Sequence, residues 1–323
     1  MKDFLSIRDL TPEQFRQWIE LALHIKASPT SYAYSLKGLS LAMIFEKPSL
    51  RTRVTFDVGM HQLGGHALYL SPAEISLGKR ETIHDVAKNL ERMVDAIMIR
   101  TFAHASVEEL AQHASIPVIN GLSDYSHPCQ ALADYLTILE VKGKLKGLKI
   151  AFLGDGNNVA RSLMFAGVQA GAHVFVGTPG GYEPDRAAHD WAQERGAATG
   201  GRCTVTNDPL VAIEDADVVY TDVWASMGQE AEAEKRSAIF RPYSVSSELF
   251  AKANKDAMFL HCLPAHRGEE VSAKVIDSNR SFVFQQAENR LHAQKAVLYT
   301  LLHDRPALRA GAHEEEFATA ASS

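Results

Sequence analysis

Strand-like and helix-like segments alternate along this 323-residue chain without an internal repeat, and no other feature narrows the possible folds so far. Strands joined through helices pair in parallel, because the return crossover needs a helix's length of chain, and parallel sheets are covered on both faces. Apolar runs bounded by turn residues predict strands at 39–45, 66–70, 96–99 and 117–120. The opening helix is signalled by Thr11, Pro12 and Gln14 as cap, first-turn proline and capping box, followed by Phe15, Trp18, Ile19 and Ala22. Further helices are expected at 52–63, 82–93, 106–113 (from a Ser106-x-x-Glu109 capping box) and from Pro128 to Gly143.

After the Lys/Gly-rich stretch 142–149 a second alternating set begins. It has strands at 148–153, 173–176, 218–222, 258–261 and 282–284, and a helix at 158–170. Two such sets imply two α/β domains, each a doubly wound parallel sheet, over 1–143 and 148–285. A last helix, 286–303, is expected to pack back onto the first domain, and 304–323, without periodicity, to form a mobile tail.

Composition excludes several classes. A net charge of −6 offers no polybasic face for nucleic acid or an anionic membrane. No run approaches the roughly 20 apolar residues of a membrane span, and the first residues, with Asp3, Arg8 and Asp9, do not read as a signal peptide. Cys129, Cys203 and Cys262 form neither a disulfide framework nor a C-x-x-C metal spacing, the usage expected in a reducing cytoplasm.

In parallel sheets ligands bind beyond the carboxyl ends of the strands, and the polar clusters of this chain fall there. They are Ser49–Arg53, Arg100, His127–Gln130, 154–158, 222–228 and 261–264. Within the first, Ser49 suits an N-cap, and the helix start with Arg51, Thr52 and Arg53 suits a phosphate or another compact dianion. The string alone fits a capped surface helix with solvated arginines equally well. His127, just before Pro128, is either a capping residue or a neutral imidazole able to donate a hydrogen bond to a carbonyl oxygen.

Gly154-Asp155-Gly156 resembles a dinucleotide fingerprint, but Val159 stands at the third glycine position and no acidic residue follows the next strand for a ribose. A nicotinamide cofactor is therefore not expected, and a tight turn presenting Asn158 to a ligand fits better. Asp222, after a strand, suits an ammonium or a solvated turn, and Cys262 is read by default as a small buried hydrophobe. A zinc site at His261-Cys262 lacks partner ligands at metal spacing.

Taken in order over residues 1–303, these motifs resemble the carbamoyltransferases, and most closely their ornithine branch. Ser49-Leu50-Arg51-Thr52-Arg53 resembles the family's carbamoyl phosphate loop and His127-Pro128-Cys129-Gln130 its second signature. Ser226-Met227-Gly228 with His261-Cys262-Leu263-Pro264 resembles the features that separate the ornithine from the aspartate branch.

The resemblance implies that carbamoyl phosphate is surrounded by Ser49, Leu50, Arg51, Thr52, Arg100, His127, Pro128, Cys129, Gln130, Cys262, Leu263 and Arg290. Ornithine would be held by Asn158, Asp222, Ser226 and Met227. Arg51, Thr52, Arg100, His127, Asp222 and Cys262 would carry the chemistry, making L-citrulline and phosphate in arginine metabolism, with no metal or organic cofactor. It also implies a homotrimer with no nucleic-acid or membrane partner. Two positions depart from the family pattern: Leu50 stands where threonine is common, and Ser76 where a glutamine often reaches a neighbouring subunit. Putrescine or N-acetylornithine as acceptor, a non-catalytic binding relative and a dehydrogenase are the competing readings. The Ser226–Gly228 loop, the joint presence of both half-sites, and Val159 argue against them in turn.

Overall fold

The computed structural model describes residues 1–75, 77–78, 80–225 and 232–303. Among the described residues nine strands form two sheets. The first holds β1 (Ser40–Phe45), β2 (His66–Leu70), β3 (Ala96–Arg100) and β4 (Val118–Leu122) in the order β2-β1-β3-β4, all parallel. The second holds β5 (Lys149–Leu153), β6 (His173–Gly177), β7 (Arg202–Thr206), β8 (Val218–Thr221) and β9 (Met258–His261) in the order β7-β6-β5-β8-β9, again all parallel. The expected two-sheet α/β class is what the chain adopts.

Each sheet has a topological switch point, β1/β3 in the first and β5/β8 in the second. There the chain leaves neighbouring strands in opposite directions and opens a crevice. Register places Phe45 beside Arg100 at the first crevice and Leu153 beside Thr221 at the second.

The two halves share a core. Apolar side chains of both sheets belong to one continuous buried cluster, joined where the Pro128–Lys142 helix packs against the Asn158–Gln169 helix. The last helix, Val283–Leu302, lies against the Pro12–Ala27, Leu50–Gln62 and Pro128–Lys142 helices. A left-handed Gly143 (φ 70°) ends the Pro128–Lys142 helix, the C-cap geometry that glycine adopts without a Cβ clash.

Several sequence expectations shift. Residues 282–284 are not a strand: Phe282 caps the last helix, which starts at Val283, and only an isolated bridge, Phe259 with Ser281, touches the sheet. Three apolar residues are too few to carry a period. The helix expected at Ser106 begins at His104, with no side-chain cap at Ala103; Asp124, from another loop, accepts from His104 N–H at 2.8 Å. A cap supplied by tertiary contact leaves no local signal. The helix Arg186–Thr199 and edge strand β7 add to the elements expected from the sequence. Ser76, Ser226, Met227 and the tail 304–323 lie outside the described residues.

Candidate active site

The Ser49 region behaves as its residue types dictate. Ser49 is extended (φ −159°) and its Oγ accepts from Thr52 N–H at 3.2 Å, so the helix starts at Leu50. Residues 51 and 53 are about 200° apart around a helix, so they face different ways. Arg53 lies over the Tyr69 ring, 3.9 Å from its centroid, and takes no part in the cluster next to it. The Leu50 side chain is 74% exposed, which leaves its backbone N–H as its contribution to an anion site.

Thr52, fully buried, is the meeting point of two chain-distant arginines. Its Oγ1 accepts from Arg100 Nη1 at 3.4 Å and from Arg290 Nη2 at 3.1 Å. Arg290, in the second turn of the last helix, also donates to Gln130 Oε1 at 2.6 Å. Arg51 reaches across to the second half, donating to the Leu263 carbonyl. Burial, then the charges of Arg290 and Arg51, push the Arg100 guanidinium down to about 9, and burial lowers Arg290 as well. Among the described residues neither Arg100 nor Arg290 has a partner for its buried Nε–H, nor has His127 for its Nδ1. Buried cations with unmet donors form a preorganised place for an anion, since a dianion would relieve both the repulsion and the missing bonds.

His127 is the N-cap of the Pro128–Lys142 helix, with Pro128 in its first turn. Its imidazole is held well below its ordinary range by burial first and by Arg290, Arg100 and Arg51 second, so it is neutral at pH 7. Cys129 is fully buried; its thiol donates to the Asn120 carbonyl at 3.6 Å and burial pushes it up to about 12.

The second crevice supplies a carboxylate. Asp222 follows β8; its Oδ1 accepts from the Cys262 thiol at 3.0 Å and its Oδ2 from Asn157 Nδ2 at 3.2 Å. Burial and then Asp222 push the Cys262 thiol well up, so it acts as a donor and not as a thiolate. Leu263 sits in the left-handed region (φ 56°), uncommon for a branched side chain, and its N–H donates to His261 Nδ1 at 2.9 Å. That turn aims the Leu263 carbonyl at Arg51. Asp222, His261 and Cys262 offer atoms within 4.8 Å of one another. However, His261 accepts at Nδ1 and so carries its proton on Nε2, 3.2 Å from Glu270 Oε1, which leaves no lone pair for a metal. Asn158 Nδ2 donates to the Ser123 carbonyl at 2.6 Å, on the loop leading to His127.

Residues that pattern reasoning missed link the two crevices. Fully buried Asp134 accepts at Oδ1 from Gln130 Nε2 (2.8 Å) and Gln286 Nε2 (2.6 Å). Gln286 in turn accepts from His261 N–H at 2.9 Å and lies 3.1 Å from the Tyr220 hydroxyl. The available signal is a Gln130/Asp134 pair at i, i+4 on an otherwise apolar helix.

Fold and site together define a class: an α/β enzyme with paired switch-point crevices, one lined by buried guanidiniums and the other by a carboxylate and a thiol. The description "Aspartate/ornithine carbamoyltransferase, carbamoyl-P binding domain" matches residues 2–140, and "Aspartate/ornithine carbamoyltransferase, Asp/Orn binding domain" matches 146–301. The chain is 57% identical over 306 residues to an ornithine carbamoyltransferase of Pyrococcus horikoshii, covering 93% of this chain and 96% of that one. It is 58% identical over 303 residues to that of Anoxybacillus flavithermus, at 93% and 96% coverage. The solved ornithine carbamoyltransferase of Pyrococcus furiosus superposes with a TM-score of 0.92 at 55% identity, over 94% of this chain and 98% of that one. This chain belongs to the aspartate/ornithine carbamoyltransferase family.

Proposed function

We propose that this chain transfers the carbamoyl group of carbamoyl phosphate to the side-chain amine of L-ornithine, releasing L-citrulline and phosphate in arginine metabolism. The observation that carries the reading is the cluster of buried Arg100, Arg290 and Thr52 with half-buried Arg51, which reaches the Leu263 carbonyl next to the Asp222–Cys262 pair. Relatives at 57% and 58% identity are named ornithine carbamoyltransferases. In this proposal residues 1–143, with the last helix, bind carbamoyl phosphate, and 148–285 bind ornithine.

Carbamoyl phosphate is already activated, so the enzyme's tasks are to position, polarise and neutralise. Arg51, Arg290, Gln130 and the helix start, through Ser49 and the Leu50 N–H, receive the phosphate. Arg100, neutral His127 and Thr52 face the carbonyl oxygen as it becomes an oxyanion. Arg51 now caps the Leu263 carbonyl. Turning Arg51 to the phosphate frees that carbonyl to accept from the carbamoyl NH₂. Asp222 and Cys262 orient the ornithine amine, with Asn158, Ser226 and Met227 at its amino-acid end. A free side-chain amine titrates near 10.4, so fewer than about one in a thousand is nucleophilic at pH 7. Desolvation beside three guanidiniums favours the neutral amine, against the opposite pull of Asp222.

A homotrimer is part of the proposal. Leu50, Val54 and Val58 are exposed at i, i+4 and i+8 on the Leu50–Gln62 helix, and Leu68 on edge strand β2 is exposed too. This apolar stripe begins at the anion loop, so a neighbouring subunit seated on it would border the site. Among the described residues no helix is long and apolar enough to cross a membrane; we place the protein in the cytoplasm.

The deciding experiment is citrulline formation from carbamoyl phosphate with ornithine, putrescine, N-acetylornithine and aspartate as separate acceptors. Turnover with ornithine alone is expected, and none with ornithine would sink the reading. In the same assay Arg51→Ala is expected to lose about 10³-fold in kcat/KM, the scale of a lost transition-state donor.

A further inference from the structure

His127 belongs to the first half of the chain, yet its backbone is held by the second. The 123–127 loop is gripped by one face of the Asn158–Gln169 helix. Asn158 Nδ2 donates to the Ser123 carbonyl (2.6 Å), Arg161 donates to the Asp124 (2.7 Å) and Tyr125 (3.0 Å) carbonyls, and Ser162 Oγ accepts from His127 N–H (2.8 Å). Ser162 is fully buried, and its single hydroxyl proton goes to the Asn158 carbonyl at 2.8 Å. Its lone pairs are therefore left for His127 N–H and for Ser126 Oγ, 3.3 Å away, as donors.

On its own side the loop is fastened up to Ser126: Ser123 Oγ meets His104 Nδ1 (2.7 Å) and accepts from Asn120 Nδ2 (3.3 Å) and Ser126 N–H (3.2 Å). The Ser126 carbonyl accepts from Ser123 N–H (2.9 Å), which leaves Ser162 as the side chain that holds the His127 N–H. Among the described residues the His127 imidazole has no partner at Nδ1, so that ring nitrogen contributes nothing to its orientation. The backbone at residue 127, the N-cap with φ −126° and ψ 65°, therefore bears directly on where the ring sits.

We propose that Ser162, assisted by Arg161, is a cross-domain positioning residue that sets the His127 imidazole against the substrate carbonyl. The inference rests on the proposed transferase reading for its kinetic arm only. Because Asn157, one residue before this helix, donates to Asp222, a single helix start ties the carboxylate of one half-site to the imidazole of the other.

The test pairs kinetics with a direct view of the ring. Ser162→Ala should lower kcat at least about tenfold, toward the about hundredfold that a 1 Å misplacement costs, with both KM values within about twofold of wild type. Ser162→Thr, which keeps the acceptor, should recover most of it. In protein carrying ¹³Cε1-histidine, the His127 resonance (assigned by its loss in His127→Gln) should move in Ser162→Ala and titrate at higher pH as the ring gains solvent. Wild-type kcat, or an unmoved His127 resonance, in a folded Ser162→Ala protein would overturn the inference. Should that variant not fold, Arg161→Met, with a less buried side chain, is read by the same two criteria. A wild type without citrulline activity would overturn the transferase reading instead, and the resonance would still decide this one.

Discussion

At Thr52 a small hydroxyl sits where two guanidiniums converge, and the site's electrostatics follow from that crowding. Two neighbours of the cluster carry opposite proton linkages. Burial holds His127 well below its ordinary 6.5, so the unfolded chain binds a proton there that the folded chain refuses. Its contribution to stability is complete above about 6.5 and erodes as pH falls from there toward the depressed folded value. Asp134 behaves oppositely. Burial raises it from 3.8 to about 7 despite its amide donors, so the folded chain keeps a proton that the unfolded one releases, and stability falls as pH rises through that window. Urea unfolding from pH 4 to 7 should therefore show a smaller rise with pH in His127→Gln than in wild type, and a larger rise in Asp134→Asn. Parallel curves for all three proteins would contradict both assignments.

At the scale of elements, the strand-to-helix turn at 154–158 shows how a resemblance in sequence diverges in use. Gly154 supplies a positive φ of 142° and Gly156 a tight approach, but that approach is to the chain's own backbone. A Cβ on Gly156 would stand 2.3 Å from Pro184 N and 2.5 Å from the Glu183 carbonyl carbon, both backbone atoms. Gly156→Ala is expected to destabilise the fold by about 1–3 kcal/mol, the range for overpacking, seen as a lower urea midpoint. A midpoint equal to wild type would show that the 182–184 segment yields. The well-capped elements are legible for local reasons: Thr11 with Gln14, and Ser49 with Thr52, act within one turn of chain. The start of the His104 helix is not legible in this way, because its cap comes from Asp124, 20 residues away.

Across the whole molecule, the exposed Leu50–Val54–Val58 stripe lies on the helix that opens the anion site. Val54→Lys is expected to shift the proposed trimer toward monomer, measured by light scattering after size exclusion, and to lower activity with it. An unchanged mass would remove this stripe from the interface. The halves share one core, with the Pro128–Lys142 and Asn158–Gln169 helices packed together where they join.

The alternation of strands and helices was enough to establish two parallel sheets, because crossover length and two-sided burial are properties of chain and period alone. The Ser49 cap and the placement of polar clusters at strand ends were equally readable, being local chemistry on a predictable frame. Which arginines meet was not. Arg51 and Arg53 are close neighbours in sequence and part around the helix, whereas Arg100 and Arg290 come from distant segments and share one hydroxyl oxygen. Gln286 and Ser162 were likewise invisible, since a buried hydrogen bond between distant segments leaves no periodic or spacing trace, and Asp134 left only its i, i+4 spacing from Gln130. Folding decides such pairings, because their partners are chosen by packing in three dimensions and not by proximity along the chain.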